Sequence, residues 1–223
     1  MIDKNSAVQA LGLVNRKIAD AALRAGRKPA DIRLVAVTKT HSAERVIPVL
    51  EAGHRIFGEN RVQESLQKWP ALKQHYCDIE LHLIGPLQTN KVKEAVGLFD
   101  VIQTVDRPKL ARILAKEMAA RDKHPKLFIQ VNTGSEAQKA GVLPQQVDDF
   151  IAQCRRDYEF DISGLMCIPP HYEDALPHFT LLKEIARRNG ISGLSMGMSS
   201  DFEVAVEAGA TYVRVGSAIF GQR

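Results

Sequence analysis

Apolar positions follow two rhythms along the chain. Between residues 3 and 25, Val8, Leu11, Val14, Ile18, Ala21 and Ala22 recur at spacings of three and four, the period of a helix with one apolar face. Gly26 stops that helix and Pro29 prevents its continuation. From residue 33 onward, short runs rich in Val, Ile and Leu alternate with longer amphipathic stretches. The runs predict strands at 33–38, 55–57, 81–84, 100–104, 127–131, 160–165, 193–196 and 212–215. The stretches predict helices at 42–52, 62–69, 90–96, 108–121, 144–155, 174–189 and 201–208, then a short turn at 217–220.

Strict alternation with crossovers of about a dozen residues requires parallel strands. Eight such units close most naturally into a (β/α)8 TIM barrel. The fold class is therefore α/β, a parallel barrel with an extra N-terminal helix; the pattern leaves open whether that helix covers the bottom or the side. An open doubly wound sheet is the alternative. It predicts Gly-x-Gly-x-x-Gly after the first strand, and the chain has none there. No low-complexity linker interrupts the rhythm, so residues 1–223 read as a single domain.

Composition narrows the class. Apolar residues make up 45% and charged residues 25% of the 223, which excludes intrinsic disorder. Thirty Lys and Arg against 26 Asp and Glu give +4, a solvated surface rather than a nucleic-acid footprint. No apolar run reaches the roughly 18 residues of a membrane span, and residues 1–6 lack a signal-peptide pattern. Cys77, Cys154 and Cys167 are odd in number and far apart, which points to a reducing, cytoplasmic setting. No Cys-x-x-Cys or His-x-x-x-His pair has metal-ligand spacing, so no metal is expected.

In a barrel of this kind the working groups lie at the C-terminal ends of the strands. Lys39 closes the first strand, where its stem is expected to be buried in the barrel mouth. An amine attacks a carbonyl only when neutral, and at a pKa of about 10.4 only roughly a few in ten thousand are neutral at pH 7. Desolvation or nearby cations lower that pKa, and a lysine so placed suits a Schiff base. The alternative is a lysine that snorkels to solvent. Gly197-Met198-Ser199-Ser200-Asp201 leads from the seventh strand into a helix. Ser200 and Glu203 have capping-box spacing, but glycine and exposed N–H groups at a helix start also cradle phosphate. Arg214, Gly216 and Ser217 supply a cation, a second glycine and a hydroxyl one strand along, and loops seven and eight of this fold often hold phosphate. An amine facing a phosphate cup suggests a phosphorylated aldehyde or ketone.

The chain resembles the pyridoxal-phosphate homeostasis proteins, single-barrel relatives of the alanine racemase N-terminal domain. The resemblance spans residues 32–221 and is carried by six motifs in order. They are Ala36-Val37-Thr38-Lys39-Thr40, Phe57-Gly58-Glu59-Asn60-Arg61-Val62-Gln63-Glu64, and His82-Leu83-Ile84-Gly85-Pro86-Leu87-Gln88-Thr89-Asn90-Lys91. The later three are Gly164-Leu165-Met166-Cys167-Ile168, Leu194-Ser195-Met196-Gly197-Met198-Ser199-Ser200-Asp201, and Val213-Arg214-Val215-Gly216-Ser217-Ala218-Ile219-Phe220-Gly221. It implies that Lys39 forms a Schiff base with pyridoxal 5′-phosphate and that the Ser199-Ser200 and Gly216-Ser217 loops hold the phosphate. It also places Arg214 and Asn60 in the same pocket. The chain departs from the family after the fifth strand. Where the family reads Asn-Thr-Ser-Gly-Glu, this chain reads Asn132-Thr133-Gly134-Ser135-Glu136, with Lys139 following. Lys139 is either a loop cation or, as the resemblance suggests, a participant in cofactor traffic.

The resemblance further implies a carrier without strong catalysis of its own. Racemases of this type take a second acid–base group from a mostly β domain of the partner subunit, and the sequence, ending at Arg223, is expected to lack that domain. With one face left without a positioned acid, about 10²–10⁴-fold in rate is lost. The expected role is intracellular cofactor buffering and delivery by a monomer, with apo forms of pyridoxal-phosphate enzymes as recipients. A lyase or aldolase acting on phosphorylated sugars is the competing class. Other residues take plainer readings. His82 is a hydrogen-bonded strand residue, Cys167 a small buried one, and Trp69 a helix-to-core anchor. Glu59 either orients a pocket neighbour or caps the next helix.

Overall fold

The computed structural model describes residues 4–221; Asp3, in the first predicted helix, and residues 222–223 lie outside them. Strands β1 (Arg33–Val37), β2 (Ile56–Glu59), β3 (Glu80–Leu83), β4 (Val101–Val105), β5 (Lys126–Val131), β6 (Ile162–Cys167), β7 (Gly193–Ser195) and β8 (Tyr212–Val215) form a closed parallel barrel in chain order. The last strand closes on the first, with Arg33 opposite Tyr212 and Ala36 opposite Val215. Helices α1 (Lys4–Arg24), α2 (Ala43–Glu51), α3 (Val62–His75), α4 (Val92–Leu98), α5 (Pro108–Arg121), α6 (Val147–Tyr158), α7 (Ala175–Arg188), α8 (Phe202–Ala208) and α9 (Ser217–Phe220) surround it. The main core lies between strands and helices, where Leu34, Phe57, Leu81, Ile129 and Leu165 meet Leu50, Trp69, Leu110, Ile151 and Leu182.

The extra helix covers the side. α9 has only four residues, too few to shield the seam between β8 and β1. α1 packs against α2, α8 and α9 instead, burying Leu11, Val14, Ile18, Ala21 and Ala22. Lys17 and Arg24 pair with Glu203 of α8, and Arg24 also with Glu207. Three helices run past their predicted ends, α4 by two residues, α6 by three and α3 by six. The spacing stops the third helix at Trp69, before Pro70, yet α3 continues to His75. Trp69 and Leu72 are buried on one face of it, and at roughly 1.5–3 kcal/mol per large apolar side chain their burial offsets the ~3 kcal/mol that an interior proline costs.

Two charged clusters fix the ends of the first strands. Glu59, wholly buried at the end of β2, lies 2.6 Å from Lys68 Nζ. Its Oε1 also accepts from Thr38 Oγ1 at 2.6 Å and from Trp69 Nε1 at 3.0 Å. Lys68 further donates to the carbonyls of Thr38 (2.8 Å) and His41 (2.9 Å), which flank Lys39 and Thr40. The pair therefore ties the turn after β1 to β2 and α3. At the opposite end of the barrel, Glu80 accepts from Arg33 at 3.1 Å and lies 3.7 Å from Lys126. Among the described residues no helix is long and apolar enough to cross a membrane.

Lys68→Met should lower the unfolding free energy by about 3–5 kcal/mol in urea titrations, because it leaves the Glu59 carboxylate buried and uncompensated; a loss under about 1 kcal/mol would show that the pair does not hold this turn. Burial alone would push Glu80 up, but the hydrogen bond from His82 and the charges of Arg33 and Lys126 bring it down to about 2. A depressed carboxylate adds stability above its unfolded pKa and loses it as pH falls through the folded one. Glu80 should therefore contribute to acid destabilisation between about pH 4.5 and 2, and Glu80→Gln should flatten the stability–pH curve in that window.

Candidate functional site

Lys39 stands at the open, C-terminal end of the barrel, in the turn closed by His41 N–H donating to Thr38 O at 3.1 Å. It is exposed, contrary to the expectation of a buried stem. The strand ends at Val37, one residue earlier than predicted, so the turn carries Lys39 above the last packed interior layer. The next residue, Thr40, takes a left-handed conformation (φ +65°), and the Glu59–Lys68 pair holds the carbonyls on either side. Glu59 is thus a neighbour-orienting residue rather than a helix cap: α3 begins behind Arg61.

The loops after β7 and β8 meet beside this turn. Ser199 Oγ accepts from the backbone N–H groups of Gly216 and Ala218, both at 3.4 Å. Gly216 backs so closely onto β1 that a Cβ there would lie 3.2 Å from Val37. Ser200 and Ser217 are exposed at the rim, and Asn60, after β2, is half-buried. Gly197 makes the sharp exit from β7 at φ +90°, where a Cβ would come within 2.5 Å of Ala205 on α8. The capping-box spacing of Ser200 and Glu203 does not operate. Asp201 precedes α8 and accepts from Met198 N–H at 2.6 Å, while Glu203 faces α1.

Arg214 lies deeper than the cup formed by the two loops. It is buried inside the barrel, donating from Nη1 to Ser195 Oγ (2.7 Å) and from Nη2 to Cys167 O (2.8 Å). Burial pushes its pKa down, and among the described residues no carboxylate lies within ion-pair distance. Cys167 is a buried thiol pushed up to about 12, chiefly by burial. Spacing alone missed Ser195, Arg214's partner; its signal was a polar residue between Leu194 and Met196 in a strand whose neighbours are all apolar.

The altered loop after β5 has a local explanation. A Cβ at Gly134 would lie 2.4 Å from Pro170, so this chain needs glycine there. Ser135 takes the left-handed conformation (φ +52°) at the place where the family pattern has its glycine. Asn132 bridges the loop, donating to Glu136 O at 2.8 Å and accepting from Glu136 N–H at 3.2 Å. Lys139 pairs with Glu136 and donates to Pro169 O at 3.1 Å. It lines a cleft of about 510 Å³ together with Pro170, Met198, Ser200 and Asp201.

The donor set suits a phosphorylated aldehyde. An amine stands at the mouth, two glycine-containing loops with hydroxyls converge beside it, and an unpaired buried guanidinium lies beneath. A hydroxyl toward the same end, Thr104 on β4, is buried without a hydrogen-bond partner.

The family described as alanine racemase, N-terminal domain, matches residues 16–223. The pyridoxal phosphate homeostasis protein of Vibrio cholerae is 39% identical over 220 residues, covering 94% of this chain and 93% of that protein. Its namesake in Escherichia coli K12 is 36% identical over 228 residues, covering 98% and 97%. Among solved structures, PipY of Synechococcus elongatus with pyridoxal phosphate bound has a TM-score of 0.79 at 36% identity, covering 92% of this chain and 100% of PipY. Alanine racemase of Bartonella henselae shares the fold, with a TM-score of 0.74 at 16% identity, and the chain spans 61% of it. The chain is thus a member of the pyridoxal phosphate homeostasis protein family, built on a barrel of the alanine racemase type.

Proposed function

We propose that this chain binds pyridoxal 5′-phosphate as a Schiff base on Lys39 and serves in intracellular cofactor homeostasis as a carrier rather than an enzyme. The observation that carries the reading is the meeting of the Lys39 turn with the loops after β7 and β8 across the β1–β8 seam. When bound, the cofactor supplies an electrophilic aldehyde carbon and a conjugated ring. Lys39 Nζ is the group that bonds that carbon, with one water expelled. Ser199, Ser200, Gly216 and Ser217 hold the phosphate through hydroxyls and backbone N–H groups. Asn60 borders the pocket on the β2 side, and Arg214 forms its floor.

Support for a carrier comes from the relatives matched nearly end to end, which are named for homeostasis. On this reading one barrel domain works in the cytoplasm as a monomer and hands the cofactor to apo forms of pyridoxal-phosphate enzymes.

Protein loaded with pyridoxal phosphate should be yellow, bleach with borohydride and carry the reduced adduct on Lys39 by mass mapping, whereas Lys39→Ala should stay colourless. An adduct on another lysine would overturn the assignment, a trapped sugar adduct would favour an aldolase, and amino-acid turnover at ordinary enzymatic rates would end the carrier reading. The double variant Ser199→Ala, Ser200→Ala should weaken pyridoxal phosphate about tenfold more than phosphate-free pyridoxal, as expected for lost hydrogen bonds to a charged group. Equal losses would move the phosphate elsewhere.

A further inference from the structure

The barrel interior contains five polar side chains in a continuous row. Arg214 Nη1 is 2.7 Å from Ser195 Oγ, and Ser195 Oγ is 2.6 Å from Gln103 Oε1. Gln103 Nε2 is 2.7 Å from His82 Nδ1, and His82 Nε2 is 2.7 Å from Glu80 Oε1. The residues come from β8, β7, β4 and β3. Ser195, Gln103 and His82 are 0% exposed, so the row runs through the interior from the mouth to the Glu80 cluster at the far end.

The chemistry of the atoms fixes the direction of every bond. A guanidinium only donates, so Ser195 Oγ accepts from Arg214 and places its single proton on Gln103 Oε1. The Gln103 amide nitrogen then faces His82 Nδ1, which must accept and so carries no proton. The ring proton sits on Nε2 and goes to the Glu80 carboxylate. Reversing the amide would leave the Ser195 proton without an acceptor in the row. Four bonds thus point the same way, from a buried cation toward an anion. The other groups facing His82 are Arg33, Asp100 and the Tyr212 ring at 5.7 Å, with Lys126 behind Glu80.

We infer that Ser195, Gln103 and His82 are positioning residues: their aligned dipoles hold the Arg214 guanidinium under the mouth and connect it to Glu80 as its counter-charge. The inference rests on the reading above that Arg214 floors the cofactor pocket. Unpaired polar groups in a low-dielectric interior are expensive, so a row with every proton assigned keeps Arg214 in one orientation before any ligand arrives.

Nitrogen NMR of the full chain without cofactor judges the row independently of ligand. His82 should be protonated at Nε2 alone and should not titrate between about pH 5 and 8. In Gln103→Glu, the new carboxylate should draw a proton onto Nδ1, so that both ring nitrogens carry one. A wild-type ring protonated at Nδ1, or titrating in that window, would overturn the row. In absorbance titrations Ser195→Ala and Gln103→Met should each weaken pyridoxal phosphate about tenfold; wild-type affinity in both would overturn the positioning role. A wild-type chain that fails to take up pyridoxal phosphate would instead overturn the proposed function, and with it that role, while leaving the histidine result to stand or fall alone.

Discussion

The seam where β8 pairs with β1 is the constraint on which the site depends. Parallel pairing there sets Val35 opposite Arg214 and Ala36 opposite Val215, so both strands open at the same rim. An amine that follows the first strand and a glycine–serine turn that follows the last, some 180 residues apart in sequence, become neighbours through backbone hydrogen bonds. The missing Cβ of Gly216 then allows that turn to sit against Val37. A register shift of one residue would turn every side chain of β8 to the other face, carrying Arg214 out of the interior.

Around the seam, polar groups take two contrasting forms. The Glu59–Lys68 pair is compact: one carboxylate oxygen gathers three donors, and the ammonium spans two carbonyls. It locks backbone. The row from Arg214 to Glu80 is extended and locks side chains. The row takes the interior that branched apolar residues would otherwise fill in a barrel of this size, whereas the pair sits between β2 and α3, and each replaces interchangeable packing with a unique arrangement of donors and acceptors.

Much of the architecture was legible because alternation is a strong signal. Parallel strands buried on both faces read as apolar runs, and the fifth helix and eighth strand fall on their predicted residues. The third helix was cut short because Pro70 is a local breaker, and local propensity yields to the burial of Trp69 and Leu72. The rim was legible as a set, since strand ends can be counted. What stayed hidden was depth. Lys39 was expected to be buried and is exposed, whereas Arg214 belongs to the interior rather than to the phosphate loops. Both depend on where a strand stops and on which face a side chain takes, to within one residue. Likewise Glu203 shows a capping spacing, but its charge is taken by a helix 180 positions away.

The helix that seals the seam has a consequence for biogenesis. α1 precedes every other described element in the chain, yet the surfaces it covers include α8 and α9, the furthest from it in sequence. As the chain is made, the apolar stripe from Leu11 to Ala22 can meet α2 early but lacks its full cover until α8 and α9 have followed. Such long-range closure slows folding and leaves a nascent chain prone to wrong associations. Sealing of the seam by α1 therefore waits on the elements at the other end of the barrel's chain order.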